Sequence, residues 1–281
     1  MANTSRVRPR PHLLRVRRIR QLSPQMRRIT LVGEGLAGFP ADCEGAHIKL
    51  MLARPHQADP LLPVPGPEGL VWPAAEDKPI TRTYTVARFD SLTGEMDVDF
   101  VLHGDDGPAS RWASAAQAGD SIGLAGPSGP ARYRPGAAWY LLLGDPSSLA
   151  AVAAVLRALP EDAVGHALIE VPAASEIQPL TRPPGISLQW LSRDGAAAAS
   201  STLLLTALRQ LDWLDGMPSV TLAGESKQVV ALHAHLLTKG VPRTAMYAVP
   251  YWKERCAEEA YQEERYQIMD EMDEAADAVR V

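Results

Sequence analysis

The stretch WYLLLGDPSSLAAVAAVLRAL, residues 139–159, decides how the chain divides. Trp139–Leu143 is an unbroken apolar run of strand length, the pattern of a strand buried on both faces. Gly144-Asp145-Pro146-Ser147-Ser148 breaks it, and Leu149–Leu159 follows as an Ala/Leu/Val helix stopped near Pro160. Strand, turn and helix in that order open a parallel α/β sheet. The alternation continues downstream. His166–Val171 and Ile186–Leu191 read as strands, Ser201–Leu211 as a helix, and Ser219–Ala223 as a strand. Ser226–Lys239 is a helix closed by Gly240, Thr244–Val249 a last strand, and the chain from Glu254 a charged helix.

Upstream the texture differs. Leu13–Ile19, Met26–Val32, His47–Leu52, Thr83–Phe89 and Glu95–Leu102 are short strand-like segments, with turn residues such as Asp90-Ser-Leu-Thr-Gly94 between them. In the last of these, Met96, Val98 and Phe100 alternate with Asp97 and Asp99, so one face is apolar and the other charged. Proline-rich 55–79 reads as a long surface loop. Short strands without a long helix predict an antiparallel barrel. The expected organisation is therefore a β-barrel domain over residues 1–135 followed by a Rossmann-like parallel α/β domain over 136–281.

Composition narrows the function classes. Of the 281 residues, 46% are hydrophobic and 22% charged, enough apolar material for ordinary globular domains. The net charge of −5 argues against sequence-independent coating of nucleic acid. Two cysteines, Cys43 and Cys256, are too few for a disulfide framework or a zinc finger. No run approaches the roughly 18 apolar residues of a membrane span, and the basic N-terminus lacks the apolar core of a secretory signal. A cytoplasmic monomer is the expectation. No His/Cys/carboxylate cluster suggests a resident metal.

Chemistry concentrates in two places. In Thr81-Arg82-Thr83-Tyr84-Thr85, an extended strand offers a guanidinium fork, an aromatic plane and a hydroxyl close together, groups that suit a phosphate-bearing ligand with a stacked ring system. The motif alone also fits an ordinary surface strand. Gly107-Pro108-Ala109-Ser110 opens a short helix whose free N–H groups suit a phosphate, or it is a plain loop-to-helix cap. In an open α/β sheet, ligands bind at the carboxyl ends of the strands. Here those ends carry Gly144-Asp145-Pro146-Ser147-Ser148, Ser192-Arg193-Asp194 and Gly224-Glu225-Ser226.

In order, these segments resemble the siderophore-interacting protein family, FAD-dependent ferric-siderophore reductases with a ferredoxin-reductase-like fold. The resemblance runs from Val16–Leu36 through Arg82-Thr-Tyr-Thr, His103…Gly107-Pro-Ala-Ser-Arg-Trp112, Gly126-Pro-Ser-Gly129, Leu143-Gly-Asp145, Trp190-Leu-Ser-Arg193 and Ala223-Gly-Glu225 to Tyr251-Trp252. It implies that Arg82 pairs with the FAD phosphates, that Tyr84 packs on the flavin and that Thr85 sits by its reactive nitrogen, Tyr84 and Thr85 thus being the catalytic pair. His103 would line that site, while Gly107, Ala109, Ser110 and Trp112 would hold the pyrophosphate and adenosine end. Asp145, Ser147, Ser148, Arg193, Gly224 and Glu225 would meet a nicotinamide nucleotide, Arg193 facing a 2′-phosphate or lying exposed at a strand end.

Pro146-Ser147-Ser148 replaces the family's Glu-Thr-Ala, and Ser192 and Pro250 stand where His and Gly are usual. These departures leave NADPH, NADH and a ferredoxin open as the electron donor. Ferric siderophores are commonly anionic, so Lys49, Arg132, Lys227, Lys253 and Arg255 are candidates for a basic rim. A general NAD(P)H:flavin or quinone reductase, and a siderophore- or flavin-binding protein without turnover, are the competing readings on the same fold.

Overall fold

The computed structural model describes residues 10–278, apart from 68, 104–106, 130 and 257. The chain forms two compact units, one from the segment up to Leu22 with Arg27–Pro130, the other from Ser23–Met26 with Ala131 onward.

The first unit is a closed six-stranded barrel. Its elements are β1 (His12–Ser23), β2 (Met26–Val32), β3 (His47–Leu52), β4 (Val64–Gly66), β5 (Gly69–Val71), β6 (Ile80–Asp90), β7 (Glu95–Val101), α1 (Pro108–Ala115) and β8 (Ser121–Ser128). Barrel order is β1-β2-β7-β6-β3-β8, and β4 pairs only with β5. The alternation in β7 works as the sequence suggests. Met96, Val98 and Phe100 are fully buried with Leu14, Ile29 and Leu50. Outside, Asp97 accepts from Thr30 Oγ1 at 2.6 Å and Asp99 takes the Arg28 fork at 2.6 and 2.8 Å.

Two features depart from the sequence reading. The proline-rich stretch is not all loop, because it carries the β4–β5 hairpin. Ser121–Ser128 escaped notice as a strand although it closes the barrel against both β1 and β3. Its Gly123, Gly126 and Pro127 mask the alternation that Ile122 and Leu124 still supply from inside.

The second unit continues with β9 (Trp139–Gly144), α2 (Leu149–Ala158), β10 (Gly165–Val171), β11 (Ile186–Ser192), α3 (Leu203–Gln210), β12 (Pro218–Glu225), α4 (Ser226–Thr238), β13 (Met246–Trp252) and α5 (Glu258–Ala278). All strands run parallel in the order β11-β10-β9-β12-β13. Every residue of β9 and β12 is buried; this accounts for the continuous apolar run of β9, whereas β12 also buries the hydroxyls of Ser219 and Thr221. Trp139 fills the base, with its indole N–H on Gly216 O at 3.1 Å. Because all the strands are parallel, their carboxyl ends gather at one edge of the sheet, and the order reverses beside β9, the usual place for a ligand.

One backbone approach holds β10 in place. Gly165 has φ +148°, and a Cβ there would stand 1.9 Å from Tyr140 O. Gly165→Ala should therefore push β10 off β9 and destabilise the second unit by about 4 kcal/mol, a fall of roughly 10 °C in Tm by calorimetry. An unchanged Tm would show that β9 and β10 part without cost.

Candidate functional site

In the barrel unit, β6 runs antiparallel to β3 with Arg82 opposite Leu50 and Tyr84 opposite Ile48. The strand pleat therefore puts Arg82 and Tyr84 on one face. Arg82 is almost wholly buried, and Nη1 donates to Thr81 O at 2.9 Å. The Tyr84 ring lies 4.5 Å from Phe100, whose ring lies 5.5 Å from Trp112 on α1, so three aromatics connect strand to helix. Thr85, expected beside Arg82 and Tyr84, is buried on the opposite face instead, the same face as Thr83. Thr83 Oγ1 accepts from Lys49 Nζ.

The start of α1 is shaped by close packing. Gly107 is its N-cap and contributes no side chain, Pro108 takes the first helical position, and the first-turn N–H groups are not capped by a side chain. A Cβ on Gly107 would meet His103 Cε1 at 2.7 Å, so the glycine gives the imidazole its place. Ser110, 1% exposed, accepts from His103 N at 3.1 Å, and Ala109 is buried beside it. A guanidinium, an aromatic face and a helix N-terminus that begins with Gly-Pro are groups that suit a flavin dinucleotide.

At the carboxyl edge of the parallel sheet the chemistry has the opposite sign. Asp145, deeply buried, accepts from Ser147 N at 2.8 Å and Ser147 Oγ, and from Glu225 N at 2.9 Å and Trp252 Nε1 at 2.7 Å. Burial pushes its carboxyl above the usual range, and the four donors oppose that shift. Ser148 closes the turn, its Oγ accepting from Asp145 N at 3.0 Å. Glu225 caps α4 with its own side chain, Oε2 accepting from Lys227 N at 2.7 Å and Gln228 N at 3.2 Å.

Gly224 lets β12 pass Asp145, since a Cβ there would stand 2.8 Å from Oδ2. The start of α4 is thus occupied by the chain's own carboxylate. At α2 the N-cap residue is Ser148, and no side chain caps the helix.

A second buried carboxylate organises the neighbouring strand ends. Glu170, 1% exposed on β10, takes Arg193 Nε at 2.9 Å, Gln228 Nε2 at 3.0 Å and the Ser201 hydroxyl. Burial raises its carboxyl as well, with Asp145 adding to the shift. Arg193, expected either to meet a phosphate or to lie exposed, is only 11% exposed. Its guanidinium is bound to Glu170, and Nη1 also donates to Ala196 O. Glu170 and Gln228 were not legible as site residues, whereas Trp252 was legible as a strand-end aromatic but not as the donor to Asp145. The one available signal was Glu170's position at the carboxyl end of the second strand.

The expected basic rim is uneven. Lys49 and Lys227 are exposed, Lys227 in the first turn of α4. Lys253 is held by Glu264 at 2.5 and 2.7 Å. Arg255 is exposed in a left-handed turn at φ +59°. Arg132 is not on a rim: it is 8% exposed, and its guanidinium lies 5.6 Å from the Tyr247 ring centroid.

With this geometry in place, comparison with known proteins is direct. Residues 15–131 match the model of the siderophore-interacting FAD-binding domain, and residues 137–255 match that of the siderophore-interacting protein. The chain is 38% identical to the ferric vibriobactin reductase ViuB of Vibrio cholerae over 266 residues, 93% of this chain and 96% of that one. It is 31% identical to the NADPH-dependent ferric-chelate reductase of Escherichia coli over 244 residues, 85% and 91% of the two chains.

The crystal structure of the siderophore-interacting protein SipS from Aeromonas hydrophila superposes with a TM-score of 0.82 at 37% identity, covering 93% of this chain and 99% of that one. A ferredoxin reductase of a carbazole dioxygenase system, at 18% identity and TM-score 0.63, shares the fold over 86% of this chain and 69% of its own. By its barrel, its parallel sheet and matches that run through both, the chain belongs to the siderophore-interacting protein family.

Proposed function

We propose that this protein is an FAD-dependent reductase of ferric siderophores that draws its electrons from a nicotinamide nucleotide. The observation that carries the reading is the combination, within one barrel, of Arg82 and Tyr84 on a single strand face with the Gly-Pro start of α1. The relatives that span nearly the whole chain are reductases of ferric vibriobactin and of ferric chelates, which supports the substrate class.

Arg82 supplies the fixed cation for the FAD pyrophosphate, and its burial strengthens that attraction by excluding water. The α1 N–H groups beside Ala109 and Ser110 take phosphate oxygens without giving up a cap. Tyr84, braced by Phe100 and Trp112, offers a ring that needs no reordering to pack on the flavin. Bound FAD supplies the conversion between a donor of electron pairs and an acceptor of single electrons. The Fe(III) of the siderophore is substrate. Its reduced form is softer and is held less tightly by oxygen donors, so the metal leaves without any permanent ligand on the protein. We place the reaction in the cytoplasm, where the free thiols of Cys43 and Cys256 match a reducing compartment.

Lys49 and Lys227 are the exposed ammonium groups best suited to an anionic siderophore, whereas the Lys253 charge is spent on Glu264 and the Arg132 guanidinium lies inside.

Arg82→Ala should weaken FAD binding by about 30-fold or more while leaving far-UV circular dichroism unchanged, as read by flavin fluorescence titration. Undiminished affinity would remove Arg82 from the phosphate site. Lys49→Ala and Lys227→Ala should each raise KM for an anionic ferric siderophore by roughly three- to tenfold and leave reduction of a neutral quinone untouched. Lys253→Ala should have the smallest effect of the three. Equal losses on siderophore and quinone would mean that the lysines serve folding or flavin binding instead.

A further inference from the structure

The donor half of the proposed reaction leaves a choice between NADH and NADPH, which differ only by a phosphate on the adenosine 2′-oxygen. At the carboxyl edge of a doubly wound sheet, an arginine near a strand end accommodates that phosphate, whereas a carboxylate accepts from the bare 2′-hydroxyl. Arg193, after the end of β11, stands where the first device would operate. Its charge is already taken. Nε lies 2.9 Å from Glu170 Oε1, the two side chains are 11% and 1% exposed, and Nη1 is on Ala196 O.

Glu170 cannot easily release it. The carboxylate is anchored by Ser201 Oγ and by Gln228 Nε2, which itself spans to Ala198 O at 2.9 Å. Pulling Arg193 toward a phosphate would leave a buried anion with its counter-charge withdrawn, and that penalty offsets the new contact.

The charges around the pair point the same way. Asp194 is tied to Ser192 Oγ at 2.6 Å, Glu254 accepts from Ala199 N at 3.1 Å, and Glu225 caps α4. Against these stand Lys227, exposed, Lys253, paired with Glu264, and Arg255, exposed in its turn. A dianionic 2′-phosphate would enter a region where carboxylates outnumber uncommitted cations, whereas a 2′-hydroxyl is a donor and finds acceptors.

We infer that Glu170, acting through Arg193 as a positioning residue, makes this protein prefer NADH to NADPH. This rests on the nicotinamide-dependent reading above. The stoichiometry is that of the proposed reaction: one NADH reduces two Fe(III) to two Fe(II), giving NAD⁺ and one proton.

The test uses the FAD-loaded full chain under anaerobic conditions, following loss of flavin absorbance on mixing with NADH or NADPH. In parallel, calorimetry measures binding of ADP and of 2′,5′-ADP, a readout that does not depend on turnover. The wild type should favour NADH by about tenfold in kcat/KM and bind ADP at least as tightly as 2′,5′-ADP. Glu170→Gln frees the guanidinium and should shift the ratio about tenfold toward NADPH, mainly through KM, and tighten 2′,5′-ADP relative to ADP. Adding Arg193→Gln to that variant should erase the shift.

A wild type that prefers NADPH, or binds 2′,5′-ADP the tighter, overturns the inference even if neither variant folds. Failure of both nucleotides to bind or to bleach the flavin overturns the nicotinamide-dependent reading, and the preference falls with it.

Discussion

The second unit depends on one buried carboxylate. Asp145 sits in the turn after β9, and its four donors come from that turn, from the β12–α4 junction and from the end of β13. An unpaired anion at that depth would cost several kcal/mol, so the three segments are held to positions in which their N–H and O–H groups converge. The same requirement explains two local choices. Position 224 is glycine because any larger residue would press on Asp145, and the Trp252 indole is turned inward as a donor, not outward as a stacking ring. The loops that shape the carboxyl edge of the sheet are thus fixed before any ligand arrives.

The two units treat helix N-termini differently, and the difference separates what each can bind. Helix α1 begins with Gly107 as its N-cap and Pro108 in its first turn, so the N-cap residue contributes no side-chain anion of its own. Helix α4 begins with Glu225, whose carboxylate consumes the N–H groups of Lys227 and Gln228. A carboxylate there stabilises the helix by about 0.5–2 kcal/mol and takes the place a phosphate would want. The α4 start carries its anion within the chain, whereas Gly107 brings no side chain to the start of α1.

The sequence made the architecture readable because two patterns are clean: alternation in β7, and a continuous apolar run in β9 followed by a turn and a helix. β8 was lost to its glycines and proline, since only two of its side chains carry the inward pattern strongly. At the sites, local grouping was legible and long-range pairing was not. Arg82 and Tyr84 are two apart on one strand, so the pleat alone brings them together. Arg193 and Glu170 lie on neighbouring parallel strands whose pairing is set by the whole sheet, with Val171 opposite Ser192. Nothing within a window around Arg193 reveals that its charge is neutralised. Arg132 misled for the same reason: among Arg and Pro residues it reads as surface, and only tertiary packing puts it over Tyr247.

The buried acids also explain how the sheet edge can be both rigid and anionic. Burial raises the carboxyls of both Glu170 and Asp145, and Asp145 adds to the shift at Glu170. The Arg193 guanidinium, the Gln228 amide and the Ser201 hydroxyl spend their donors on Glu170. Those donors are the very groups that a phosphate ligand would otherwise recruit. Stabilising the internal anions and recognising an external one therefore compete for the same limited set of N–H and O–H groups. In this chain the competition is settled in favour of the fold at α4 and after β11.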